Sequence, residues 1–252
     1  MRLLGIDVET TGLDWKKGAR ILEVGVSLHE AGDEIYLHQE NWTMYDDEIA
    51  KLLPLTQEIK NLTGIRDEAL SEFGVHPSTA YRALDQYCVD RKVDYLVAHN
   101  GDNFDRPFLL YELDKFGIKE HALRRLPWLD TRKDIKYPAG QEPRTRTLAE
   151  LLRLKRAIPL IAHRAKSDAE STMWLLSHYD IDEILEYHKI PWIVVSPRVH
   201  YEERELAKSN GYSWQEINHK QYPKSWVKLI KADQLEAERA KFPQHQLIVL
   251  EG

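Results

Sequence analysis

The chain has 252 residues, 42% of them hydrophobic and 30% charged, with a net charge of −6. That length buries a sizeable core, as one large domain or as a moderate domain with an appendage, and nothing in the composition points to disorder. The single cysteine, Cys88, excludes an intramolecular disulfide and a cysteine-based zinc site, in keeping with a reducing cytoplasm.

Charge is unevenly spread. Residues 189–252 hold ten Lys or Arg against eight Asp or Glu, or +2, which leaves −8 for the first 188 residues. An acidic body still binds nucleic acid where its acids cluster around divalent cations, which invert the local field. The first apolar run breaks at Asp7, too early for a secretory segment, and no stretch approaches the roughly eighteen apolar residues that span a bilayer. A soluble cytoplasmic protein with no membrane partner is expected.

In chain order, residues 2–8, 20–30 ("RILEVGVSLHE") and 34–40 ("EIYLHQE") read as strands, the last two separated by a Gly32-Asp33 turn signal. Helical spacing runs over 78–92, followed by a short buried strand at 94–99. A helix over 105–117 has Pro107 in its first turn and Gly117 as its stop, and "LPWLDT" (126–131) reads as a strand. Amphipathic helices follow at 147–156 and 167–179. Strands that alternate with helices after an initial meander predict an α/β layered domain with a mixed sheet. The pattern restarts after "PWIVVSP" (191–197) as strand, helix (201–211), strand (225–230), helix (232–242) and strand (246–251). We therefore divide the chain into a main domain, 1–188, and a small α+β C-terminal module, 189–252.

The stretch "GIDVETTGLD" ends the first strand in two acids, Asp7 and Glu9, one residue apart. Residues i and i+2 of a strand share a face, so these carboxylates lie side by side, and like charges at the end of a core strand call for a cation. Asp105 follows a buried strand and opens a helix; His163 stands five residues before Asp168, in the first turn of another. Strand ends and helix starts line the crevice where open α/β sheets bind ligands, so the four acids can converge. Each also has a plainer role. Asp105 is a possible N-cap ahead of Pro107, Ser167 with Glu170 makes a capping box, and a lone histidine is more often structural.

Taken together, "GIDVETTGLD", "VAHNGDNFDRPFL" and "HRAKSDAEST" resemble the three exonuclease motifs of the DEDDh, or DnaQ-like, 3'-to-5' exonuclease family, which includes the proofreading epsilon subunit of DNA polymerase III and exonuclease X-like proteins. The resemblance covers about residues 1–180 and extends to "RILEVGVSLHE", "NLTGIRDEAL", "LDT" and "TLAELL". Many relatives carry His before the Gly-Ile pair, where this chain has Thr63.

The resemblance implies a ribonuclease H-like fold: a mixed five-stranded sheet flanked by helices. It makes Asp7, Glu9, Asp105 and Asp168 the metal-site carboxylates for two Mg2+ or Mn2+ ions, and His163 the general base. Hard oxygen ligands suit such ions, and a histidine with an ordinary pKa near 6.5 takes a proton from water at neutral pH. Asp7 is expected to bridge the ions, Glu9 and Asp168 to hold the nucleophile-side ion, and Asp105 to act on the other through water. Thr10, Thr11, Gly12 and Leu13 then lie against the terminal nucleotide, with Leu13 as an apolar wedge. His99, Asn100 and Phe104 line the floor of that site or brace Asp105.

The implied substrate is a single-stranded or frayed 3' end of DNA, released as nucleoside 5'-monophosphates. RNA is the alternative substrate, because discrimination at the 2'-hydroxyl rests on contacts that no motif reveals. A non-catalytic nucleic-acid-binding or polymerase-associated subunit is the second alternative, against which all five site residues stand. No polymerase domain is evident, so a proofreading or repair role calls for a separate partner. "RTRTLAELLRLKR" and "KQYPKSWVKLIK" (220–231) are candidate basic approach surfaces, although the latter reads rather more as a strand with core aromatics and solvated lysines.

Overall fold

A computed structural model describes residues 1–138, 141, 143–156, 164–217 and 223–250. Strand β1 (Arg2–Thr10) is built from alternating side chains that reach two separate cores. Leu4, Ile6 and Val8 enter one, while Leu3 enters the other. Asp7 and Glu9 have the parity of Leu3 and Gly5 and so belong to the second face.

β1 pairs antiparallel with β2 (Ile21–Glu30), which pairs antiparallel with β3 (His38–Thr43). On its other side β1 pairs parallel with β4 (Tyr95–Ala98), and β4 with β5 (Trp128–Asp130). The five-stranded sheet therefore has the order β3-β2-β1-β4-β5 and is the mixed, ribonuclease H-like sheet expected. Between β3 and β4 lie α1 (Asp47–Ala50), α2 (Gln57–Thr63), α3 (Asp67–Phe73) and α4 (Pro77–Asp90). Then come α5 (Asp105–Lys115), α6 (Ala122–Arg125), α7 (Thr131–Asp134), α8 (Leu148–Leu154), α9 (Ala165–Ser177) and α10 (Ile181–Lys189).

Helices α4, α5 and α6 cover one sheet face through Tyr81, Leu84, Phe108, Leu113 and Leu123. The other face receives Leu151 and Leu152 of α8 and Met173 and Leu176 of α9. Two glycines let α9 lie against the strands. A Cβ on Gly5 would sit 2.5 Å from Met173 Cγ, and one on Gly25 only 2.1 Å from the Lys166 nitrogen. Since Gly25 stands opposite Asp7 in the β1/β2 ladder, this contact draws the first turn of α9 up to the acidic end of β1.

Two local expectations are corrected. The third strand begins at His38, not at residue 34, because Ile35, Tyr36 and Leu37 form the exposed connection and β3 pairs from His38 opposite Leu28. In that register β2, which ends at Glu30, has no residue opposite 34 and 35. Helix α9 begins at Ala165, two residues before its predicted start, so Ser167 lies inside the helix and the Ser167–Glu170 capping box does not form.

By contact the chain divides into Met1–Leu185 and Glu186–Gly252. The second unit carries β6 (Trp192–Pro197), α11 (Arg204–Ser209), β7 (Ser213–Glu216), β8 (Lys224–Lys231), α12 (Leu235–Arg239) and β9 (Leu247–Leu250). Its antiparallel sheet has the order β7-β8-β6-β9 around Val195, Ala207, Tyr212, Ile230 and Phe242. Trp226 packs partly on that core and meets Trp214 across the β7/β8 ladder at 5.5 Å. Lys231 is not on a solvated face: it is 1% exposed, with Nζ donating to the Ile190 carbonyl at 2.9 Å. Lys220 and Tyr222 lie outside the described residues. Among the described residues, no helix is long and apolar enough to cross a membrane.

Candidate active site

Asp7, Glu9 and Asp168 come together. One carboxylate oxygen from each lies within 4.8 Å of the others, although Asp168 is distant in sequence. The strand period places the first two, and the seating of α9 on Gly5 and Gly25 brings the third. Asp105 approaches from the opposite side of β1: it is 1% exposed, and its Oδ1 accepts from the Val8 backbone N–H at 3.1 Å. It is the first residue of α5 and not its N-cap, a position held by Phe104. His163 lies outside the described residues.

Four acids in one crevice repel one another. Burial, and then Asp105, Asp168, Glu9 and Glu23, hold the Asp7 carboxyl well above the ordinary carboxylate range. Glu9 is pushed up to about 8 by burial and then by Asp168 and Glu23, against a lowering effect of Arg164. Asp105 is pushed up to about 7, chiefly by burial and less by Asp130 and Asp168, with hydrogen bonds from its own N–H and that of Val8 opposing. Hard oxygen donors whose charge lacks compensation are the donor set that a divalent cation satisfies, so these residues fit one.

The turn after β1 is self-bonded. The Thr10 hydroxyl donates to the Gly12 carbonyl at 2.7 Å, and Thr11 Oγ1 accepts from the Arg20 N–H at 2.9 Å. Leu13 projects from it, 81% exposed. Thr11, Gly12 and Leu13 form one wall of an open cleft of about 410 Å³, with Leu52, Leu55, Thr56 and Ile59 opposite.

His99, Asn100 and Phe104 lie on the segment between β4 and α5. The His99 ring bonds Thr131 Oγ1 through Nδ1 and the Arg146 carbonyl through Nε2, both at 2.9 Å. Burial lowers its pKa to about 4, so the ring is neutral and donates its one N–H to the carbonyl. Asn100 adopts a left-handed backbone, φ 66°, and donates its N–H to Asp130 at 2.9 Å. Phe104 packs against Phe108 with ring centroids 5.1 Å apart.

Three residues that sequence reasoning did not single out complete the surroundings. Buried Asp130 accepts the N–H groups of Asn100, Asp102 and Arg132 and so shapes the loop into Asp105. Glu23, 1% exposed, stands directly opposite Glu9 in the β1/β2 ladder. Arg164 pairs with Glu23 at 2.8 Å. The available signal was a single acid inside each apolar run, "ILEVGV" and "WLDT".

Comparison with known proteins identifies the family. Residues 4–176 match the sequence model of the exonuclease family RNase_T. The chain is 32% identical over 174 residues to the 3'-5' exonuclease DinG of Bacillus subtilis, covering 68% of this chain and 17% of that protein. It is 33% identical over 113 residues to the PolC-type DNA polymerase III of Mycoplasma genitalium, covering 45% of this chain and 7% of that one. The chain thus spans only a small part of both relatives. Among solved structures, exonuclease I superposes with a TM-score of 0.63 at 13% identity, over 91% of this chain and 62% of its own. The nuclease domain of 3'hExo, a DEDDh family member bound to rAMP, gives 0.57 at 15%, over 70% of this chain and 90% of its own.

Proposed function

Because the chain belongs to the RNase_T exonuclease family, we propose that it is a divalent-metal-dependent 3'-to-5' exonuclease of the DEDDh, or DnaQ-like, type that acts on DNA 3' ends and releases nucleoside 5'-monophosphates. The observation that carries this reading is the convergence of Asp7, Glu9 and Asp168 within 4.8 Å, with Asp105 behind them.

Those four carboxylates would hold two Mg2+ or Mn2+ ions, which when bound supply charge neutralisation and activation of water for phosphodiester hydrolysis. The chain's own residues do the rest. His163 takes the proton of the attacking water as general base. Leu13 and the wall of Thr11 and Gly12 seat the terminal nucleotide in the cleft facing Leu52, Leu55 and Ile59. Asp130 and His99 hold the loop into Asp105, so that Asp105 keeps its place when substrate enters. The cytoplasm is the expected site of action, with a polymerase or repair protein as the expected partner.

The test uses 5'-labelled single-stranded DNA, 3'-recessed DNA and matched RNA with Mg2+, Mn2+ or EDTA, beside Asp7→Ala and His163→Ala. The expected result is a metal-dependent ladder from the DNA 3' end, lost by at least about 10³-fold in Asp7→Ala. A ladder on RNA alone would reassign the substrate. Binding without cleavage of either would make the chain a non-catalytic nucleic-acid-binding subunit.

A further inference from the structure

Arg164 stands at the N-cap position of α9, yet its side chain caps nothing there. It reaches instead to β2. Its Nη2 donates to Glu23 Oε1 at 2.8 Å and its Nε to Glu23 Oε2 at 3.3 Å. Glu23 also accepts from the Ala165 N–H at 3.3 Å and from Asn41 Nδ2 at 2.8 Å. The carbonyl of Arg164 accepts the Asp168 N–H at 3.0 Å. One residue therefore ties the strand opposite Glu9 to the helical turn that bears Asp168. Its stem also passes the left-handed turn at Gly64, where an added Cβ would meet Arg164 Cδ at 3.7 Å.

Local stability does not account for this pair. A buried carboxylate facing Glu9 across the ladder is a like-charge contact, and an ion pair whose arginine is 46% exposed adds little stability of its own. What the two-pronged fork supplies is position, since it closes on Glu23 in one orientation. We propose that Arg164 is a positioning residue that, through Glu23, sets Asp168 at its distance from Asp7 and Glu9 for metal binding. The inference rests on the reading of these acids as the metal site.

Its test turns on a sign. Arg164 is a cation beside the acids, so charge alone requires that its loss tighten divalent-metal binding, whereas a lost positioning contact weakens it. Mn2+ binding to the full chain is measured by electron paramagnetic resonance of free Mn2+ for wild type, Arg164→Met, Arg164→Lys and the double variant Arg164→Met/Glu23→Gln. The double variant removes one charge of each sign, and the lysine keeps the charge without the fork. Expected are affinities weaker by about 10- to 100-fold in Arg164→Met and in the double variant, with a smaller loss in Arg164→Lys. Unchanged or tighter binding in folded Arg164→Met overturns the proposal. Where that variant does not fold, unchanged binding in Arg164→Lys does the same. Absence of Mn2+ binding in wild type overturns instead the metal-site reading beneath it.

Discussion

The backbone nitrogen of Lys166 lies over Gly25 so closely that a Cβ there would stand 2.1 Å from it. This contact between β2 and the first turn of α9 determines how near Asp168 comes to Asp7. Gly25→Ala is expected to lift that turn. Overpacking should cost about 1–3 kcal/mol in urea unfolding, and displacement of Asp168 should lower kcat by about 10²-fold. A variant of wild-type activity would show that the metal site does not depend on this seat.

Without metal, stability should fall as pH rises. The acids of the site keep their protons in the fold up to about 7 for Asp105 and about 8 for Glu9, whereas an unfolded chain releases them near 4. The folded state then binds more protons between those limits, so the free energy of unfolding decreases with pH across that window. Melting in EDTA should therefore be higher at pH 5 than at pH 8. Mn2+ at about 100 times its Kd should restore about 2.7 kcal/mol at pH 8. Asp7→Asn removes one of the repelling charges and should flatten the EDTA profile.

Arg20 is the buried hub of a network that backs the Thr11 turn. Its guanidinium pairs with Glu112 of α5 at 2.7 Å, Glu48 at 2.8 Å and Asp46 at 3.0 Å, and its backbone N–H and C=O hold Thr11. Arg20→Met leaves Glu112, which is fully buried, without its cation. The expected loss is about 3–5 kcal/mol of unfolding free energy, accompanied by a raised KM as the Thr11 turn loosens. A change in stability alone would uncouple the network from the cleft.

His99 and His163 should separate in a pH–rate profile. Both ring nitrogens of His99 are engaged and its pKa is lowered to about 4, so it does not titrate in the working range. His99→Asn should cost about 1–3 kcal/mol of stability and leave the acidic limb of kcat in place. His163→Ala should abolish that limb. A limb that moves with His99 would transfer the proton-accepting role to it.

Sequence alone established the acidic pair and its face, because the two-residue period of a strand puts Asp7 and Glu9 on one side whatever the strand packs against. It also marked Asp105 and Asp168 at a strand end and a helix start, and the order of motifs that identifies the family. Tertiary structure decided the rest. That Glu23 faces Glu9 depends on the β1/β2 register, and that Arg164 meets Glu23 depends on how α9 lies over Gly25, across 141 residues of chain. His99 reads in sequence as a ligand to substrate or a brace to Asp105, and only the fold shows that its ring is held by Thr131 and Arg146, 32 and 47 residues away. Periodicity states which face a side chain takes. What stands opposite it is settled only when separate elements close on a shared core, where register and approach distance answer to packing.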